Sequence, residues 1–297
     1  MFRKVLCIVS ALAIASFNVF SAEREKEKQA SLQRHEITGT ATRIETPAKE
    51  VASSVTVVSK QDLEQTKKAT VLEALQEIPG VSIVQNGPRG SAASVFLRGA
   101  NSEHTLVMID GVELNDPISP SRSYDLAHLT VENIEQVEIL RGSQSTLYGS
   151  DAIGGIVNII TRKGEGKPRF RLSAQGGSFG TFLSSAGMNG GTEDIHYSLA
   201  VSQSSSSGVS AASTSYEGNQ EKDGYRNFSF SGRFGFSLQK NLDFDAVFQR
   251  MKSKTEIDNF GGESGDDPNN IQDYDSVFFK GQVRLLSLKN RWDCLLY

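Results

Sequence analysis

From residue 170 onward, apolar and polar side chains alternate with period two over stretches too long for an ordinary globular sheet. Phe170, Leu172 and Ala174 alternate with Arg171, Ser173 and Gln175, and Ile195, Tyr197, Leu199 and Val201 with His196, Ser198, Ala200 and Ser202. The same rule governs Phe228, Phe230, Gly232, Phe234, Phe236 and Leu238, then Leu242, Phe244, Ala246 and Phe248, then Val277, Phe279, Gly281, Val283 and Leu285. In an extended chain such alternation puts every apolar group on one face. Secreted β-sandwiches and solenoids use strands of about 5–6 residues, whereas these runs support about ten or more. Tight turns such as Lys240-Asn241 alternate with long polar loops near residues 204–224 and 253–273. Long one-sided strands joined alternately by short and long connections predict an antiparallel transmembrane barrel.

The amino terminus supports export. Arg3 and Lys4 precede an apolar run over residues 5–20, and Ser21 and Ala22 supply small residues for cleavage. This is the pattern of a secretory signal covering residues 1–22, with cleavage after Ser21 or Ala22. The run is too short for a comfortable helical span of about 20 residues, and no second such run follows. The net charge of −4 becomes more negative once Arg3 and Lys4 leave, so no nucleic-acid partner is implied. Cys7 departs with the leader, leaving Cys294 without an intramolecular disulfide partner.

Between leader and barrel the grammar is that of an α+β domain. Residues 35–43 read as an extended, initially unpaired strand and residues 55–58 as a strand. Ser59 caps a helix with Asp62 as its acidic partner, and Thr70 with Glu73 opens a second helix reaching Glu77. Pro79-Gly80 stops it. Strands follow at residues 81–84, 95–97, 105–109, 137–140 and 156–161, with a short helical piece predicted over residues 131–134. The continuous apolar run of residues 105–109, ended by Asp110-Gly111, suits a strand buried on both faces.

Five ordered motifs carry a resemblance. Leu75-Gln-Glu-Ile-Pro-Gly-Val81, Phe96-Leu-Arg-Gly99, Val107-Met-Ile-Asp-Gly-Val112, Val137-Glu-Ile-Leu-Arg-Gly142 and Leu147-Tyr-Gly-Ser-Asp-Ala-Ile-Gly-Gly-Ile-Val-Asn-Ile-Ile160 resemble the plug of TonB-dependent outer-membrane receptors, in particular the cobalamin and colicin I/catecholate-siderophore branches. The resemblance implies a lead with a TonB box (residues 23–44), a plug (45–166) and the first strands of a partial barrel (167–297) in the cell outer membrane, in contact with its lipid. Glu36, Ile37, Thr38, Gly39, Thr40 and Ala41 resemble the TonB box, with Gly39 where the family usually has Val. That segment would add a strand to the TonB energy transducer, itself driven by inner-membrane motor proteins. The lead is too short for the extra periplasmic signalling domain of regulatory receptors. The resemblance also implies that Arg98 and Arg141 lock the plug to carboxylates of the barrel wall. Substrate would meet the outward plug loops through Gln85, Asn86, Arg89 and Ser91, and through Asn115, Asp116, Ser119, Arg122 and Tyr124. Arg89 and Arg122 would favour an anionic ferric siderophore, whereas a cobalamin needs mainly neutral donors. Asp223, Asp258 and Asp267 lie where cobalamin receptors carry calcium-dependent loops; they are either a structural calcium site, if the loops converge, or solvated loop charge. No other cofactor is implied.

Enzyme chemistry finds no footing. His35, His104, His128 and His196 have no metal-ligand spacing, and residues 149–155 lack the Lys-Ser/Thr of a phosphate loop. A passive porin or adhesin accounts for the barrel but not for the plug. A plugged transporter uses about 22 strands, while about six can be placed after residue 166, with a seventh beginning near Trp292. An open edge in lipid leaves backbone groups unpaired. The expectation is therefore a truncated or frame-shifted receptor that does not transport by itself, or one completed by a second polypeptide.

Overall fold

A computed structural model describes residues 37–41, 46–51, 53–116, 122–210, 212, 215–217, 219, 221–239, 241–258, 265, 267, 269–286 and 291–296. The signal segment, Glu36 and Ser119 lie outside these residues.

The first strands, β1 (Ile37–Thr38) and β2 (Thr46–Pro47), pair with one another antiparallel. The extended stretch near residue 37 is thus partnered, not free as expected. β3 (Ser54–Ser59) leads into α1 (Lys60–Thr66), where Ser59 accepts the Asp62 amide and Asp62 accepts the Ser59 amide. α2 (Val71–Leu75) is capped by Thr70 and ends before Glu77, because the Ile78 amide turns back to the Leu75 carbonyl. β4 (Val81–Gln85) and β5 (Ala93–Leu97) form a hairpin. β6 (Thr105–Ile109), β7 (Val112–Glu113), β8 (Ile134–Arg141), α3 (Ser145–Tyr148) and β9 (Gly155–Thr161) complete the plug. Residues 131–133 are bend and turn, not the expected helical piece. The Val131 amide bonds back to Ala69 and the chain enters β8 directly at Ile134.

A five-stranded sheet ordered β3-β8-β9-β6-β7 organises the plug, with β6 and β9 parallel and the other pairs antiparallel. Its two faces bury different sets. Val107, Ile109, Val137, Ile139, Val157 and Ile159 pack toward α1, α2 and the hairpin with Leu63, Leu72, Leu75 and Leu97. Leu106, Met108, Leu140 and Ile156 pack on the other face against Ala41 and Ala152. All five residues of β6 are buried, which explains its unbroken apolar run.

Beyond the plug, β10 (Arg169–Gly177), β11 (Thr181–Gly191), β12 (Ile195–Ser206), β13 (Tyr225–Gln239), β14 (Leu242–Glu256), β15 (Ile271–Leu286) and β16 (Arg291–Leu296) form one antiparallel meander in chain order. It has seven strands, the six placed from the pattern and the seventh expected near Trp292, which starts at Arg291. β13, β14 and β15 run to 15, 15 and 16 residues. The apolar set faces outward, with Phe170 78%, Leu172 85%, Phe234 51% and Val277 62% exposed. Asn227, Ser229 and Ser231 of β13 are buried on the inner face. The connections sort by end. The Ser207 amide bonds the Phe179 carbonyl, joining the 178–180 turn to the 207–224 loop, while Ser237 bonds Asp194 and Leu286 bonds Asn241 at the opposite, tight-turn end. No helix among the described residues is long and apolar enough to cross a membrane.

Candidate functional site

The plug meets the barrel strands at two levels. At the long-loop end, the 86–92 loop is clamped to the wall. Gly90 has φ +90°, and its carbonyl accepts from the Thr255 hydroxyl at 3.1 Å. A Cβ on Gly90 would stand 2.2 Å from the Tyr225 ring, so backbone and ring are in direct contact. Arg89 lies 5.9 Å from the centre of that ring and 3.4 Å from Glu73. His128 Nδ1 is 3.2 Å from the Tyr225 hydroxyl, and the Asn227 side-chain amide donates to the His128 carbonyl at 2.8 Å. Burial holds the His128 imidazole below its usual pKa, partly offset by the Asp125 carboxylate, and so favours the neutral ring.

Beside this clamp lies a cavity of about 890 Å³ between the plug loops and β14–β15. Of the residues expected to face substrate, Asn86, Asn115, Asp116 and Tyr124 line it, together with Gln249, Gln272 and Tyr274 from the wall. Tyr124 has its hydroxyl pushed well above the usual range, first by burial and then by the Tyr274 hydroxyl. Asn115 is also a fastener: its side chain accepts from the Val107 amide at 2.9 Å and donates to the Thr105 carbonyl at 3.2 Å. The other described members of the expected set lie elsewhere. Gln85 donates to the Pro88 carbonyl at 2.9 Å within its own loop, Ser91 is buried, and Arg122 pairs with Asp151 at 2.8 Å. No lysine or arginine lines the cavity among the described residues; its charged members are Glu113, Asp116, Asp125 and Asp275.

Nearer the tight-turn end, the barrel reaches the plug with cations. Arg233 of β13 stands 3.7 Å from the Asp110 carboxylate and donates to the Thr161 carbonyl at 3.1 Å. Its guanidinium also pairs with Asp245 of β14. Lys280 of β15 donates to the Asp110 carbonyl at 2.7 Å. Asp110 in turn accepts from the Thr161 amide and hydroxyl at 3.0 and 2.6 Å. At this contact barrel cations hold a plug acid. Arg98 and Arg141, the residues expected to lock plug to wall, stand close together. Arg141 donates to Thr56 at 2.8 Å, and among the described residues neither arginine has a carboxylate partner. Burial and then Arg98 lower the Arg141 pKa.

The segment resembling a TonB box is docked on the plug sheet. Thr40 is 2% exposed; its amide donates to Glu138 at 3.1 Å, its hydroxyl accepts from Asn158 at 2.7 Å, and its carbonyl accepts from the Tyr148 hydroxyl at 2.7 Å. Gly39 is half-buried and Ala41 buried beside it. The acids proposed for calcium are dispersed in role. Asp258 accepts the Ala212 amide at 2.6 Å and Asp267 the Asn269 amide at 3.0 Å, while Asp223 is buried. Among the described residues no three acid, imidazole or thiol groups converge on a metal-sized site.

Several of these groups escape a linear reading. Tyr225, Tyr274, Gln249 and Gln272 look like ordinary lumen residues until the plug loops are brought to them. Arg233 and Lys280 left a signal, as cations on the inward phase of strands whose outward phase is phenylalanine. Asp110 reads only as half of a turn.

A plug sheet docked against antiparallel barrel strands, with its outward loops at the long-loop end, is an arrangement shared with solved outer-membrane uptake receptors. Residues 47–156 match the TonB-dependent Receptor Plug Domain family. Among curated relatives, the Vitamin B12 transporter BtuB of Vibrio vulnificus is 38% identical over 169 residues, 57% of this chain and 27% of that protein. The Vitamin B12 transporter BtuB of Photobacterium profundum is 35% identical over 197 residues, 66% of this chain and 32% of that protein. The chain therefore spans about a quarter to a third of the length of these relatives. Among solved structures, the ferric yersiniabactin uptake receptor FyuA of Yersinia pestis superposes with a TM-score of 0.67 at 17% identity, over 88% of this chain and 42% of that one. The ferripyoverdine receptor of Pseudomonas aeruginosa gives 0.64 at 15% identity, over 84% and 34%. At these identities the structural matches establish the fold alone.

Proposed function

We propose that this chain supplies the plug and first barrel strands of an energised outer-membrane receptor for a corrinoid of the cobalamin class. The observation that carries the substrate choice is the charge of the cavity wall. A polyanionic ferric siderophore needs cations where it docks, and the polar side chains of the described lining are amides, hydroxyls and carboxylates set among apolar groups. The two arginines that favoured a ferric chelate are engaged elsewhere, Arg89 with Glu73 and the Tyr225 face, Arg122 with Asp151. Identity to vitamin B12 transporters points the same way. Energy would arrive through residues 36–41, which would leave their dock and pair with the periplasmic TonB protein as an added strand. The protein would reside in the outer membrane, with the tight-turn end toward the periplasm, and would bind and carry rather than catalyse.

Binding assays with cobalamin and with a ferric catecholate on outer membranes carrying the receptor test the substrate. Saturable cobalamin binding with no catecholate binding is expected. Catecholate binding alone would reverse the assignment, and binding of neither would remove both.

A further inference from the structure

Asn158 sits at a junction that neither the motif pattern nor the docking of the coupling segment explains by itself. Its side chain is 5% exposed and makes two hydrogen bonds in opposite directions. The amide nitrogen donates to the Thr40 hydroxyl at 2.7 Å, and the amide oxygen accepts from the Gly111 backbone at 3.2 Å. Gly111 belongs to the turn whose other residue, Asp110, is held by Lys280 and Arg233 of the barrel wall. The other side chains that hold Thr40, Glu138 of β8 and Tyr148 of α3, fasten it to the body of the plug. Asn158 holds both Thr40 and the turn on which the barrel closes.

We propose that Asn158 is the positioning residue that links the state of the coupling segment to the grip of Arg233 and Lys280 on Asp110. The proposal rests on residues 36–41 being the coupling segment. When Thr40 leaves, Asn158 loses the partner of its buried amide nitrogen and is free to reorient, which strips the Gly111 amide of its acceptor. The turn then loosens under the barrel cations. The linkage is reciprocal by thermodynamic necessity: weakening the barrel grip must favour departure of the segment.

The test uses the full chain in outer membranes, carrying Thr38→Cys for maleimide labelling on a Cys294→Ser background, with hydrogen exchange followed at residues 108–113. Thr40→Val keeps shape and removes the hydroxyl; it is expected to speed exchange of the Gly111 amide by at least about threefold, the scale of one lost hydrogen bond. The β4–β5 hairpin should be unchanged, which separates a linkage from general loosening. Arg233→Gln, at a residue whose partners are Asp110, Thr161 and Asp245, is expected to raise the labelling rate at position 38 by a similar factor. Asn158→Leu should produce both effects and abolish the response of each site to the other's variant. If Thr40→Val raises labelling while Gly111 exchange stays fixed, or if Arg233→Gln leaves labelling unchanged, the linkage is overturned. Cross-linking of the thiol introduced at position 38 to a cysteine-bearing TonB domain is read in parallel. Its absence in every variant would overturn the coupling role of the segment on which the proposal rests, and the exchange data would report that failure separately from a failure of the linkage.

Discussion

Gly90 and His128 show how single residues seat the plug. At Gly90 the backbone has φ +90° and touches the Tyr225 ring and the Thr255 hydroxyl, so an added methyl meets both strain and a clash. Gly90→Ala is expected to destabilise the docked loop by about 1–3 kcal/mol, read as faster protease cleavage within residues 86–92. His128 carries a pH dependence of definite sign. Its folded-state pKa lies below the ordinary 6.5, so the unfolded chain binds the proton more readily. Stability is unaffected well above that value and falls as pH drops through it. Thermal unfolding midpoints between pH 7.5 and 5 should decline, and His128→Gln should flatten the decline. An identical slope in the variant would assign the pH dependence to other groups. The His128 signal was invisible in sequence, because one imidazole among scattered histidines acquires meaning only from Tyr225, Tyr274 and Asp125 around it.

At the scale of elements, local chemistry was legible and its use was not. The Ser59/Asp62 and Thr70/Glu73 caps and the buried run of β6 follow from short-range rules, and the structure has them, whereas the second helix ends at Leu75, ahead of the stop expected at Pro79-Gly80. Residues 131–134 misled, since apolar residues three apart also suit a turn that feeds a strand. β11 interrupts its outward phase of Phe182 and Met188 with Ser184, Ala186 and Gly190, and it is fixed as a strand by ladders to β10 and β12 on both sides. The outward phase of β13 gives a direct test. Phe230 is exposed on the lipid-facing side, and Phe230→Arg is expected to cost about 2–4 kcal/mol near the bilayer midplane, measured by denaturant unfolding in phospholipid bilayers. An unchanged unfolding free energy would place this face in a polar environment.

For the whole molecule, the plug and the wall act through each other. The proposed coupling segment is held on the plug sheet at Thr40, the plug is gripped by Arg233 and Lys280, and the candidate cavity lies between the plug loops and the wall. Deleting residues 36–41 is expected to abolish energised uptake while leaving ligand binding intact, as measured by radiolabelled cobalamin accumulation against binding to isolated membranes. Undiminished uptake would favour a passive channel. The sequence by itself determined the period-two strands, the α+β plug, the order of its motifs and its family likeness, because these rest on side-chain alternation, capping and turn chemistry that act over a few residues. Tertiary structure alone decided which charges meet. Arg98 and Arg141 stand side by side within the plug, Asp110 became the anchor, Arg89 was drawn onto Tyr225, and four of the nine residues expected to face substrate were gathered into one cavity. The physical reason is range: ion pairs and cavity walls join residues more than a hundred positions apart, and no local pattern records which strand will arrive opposite which loop.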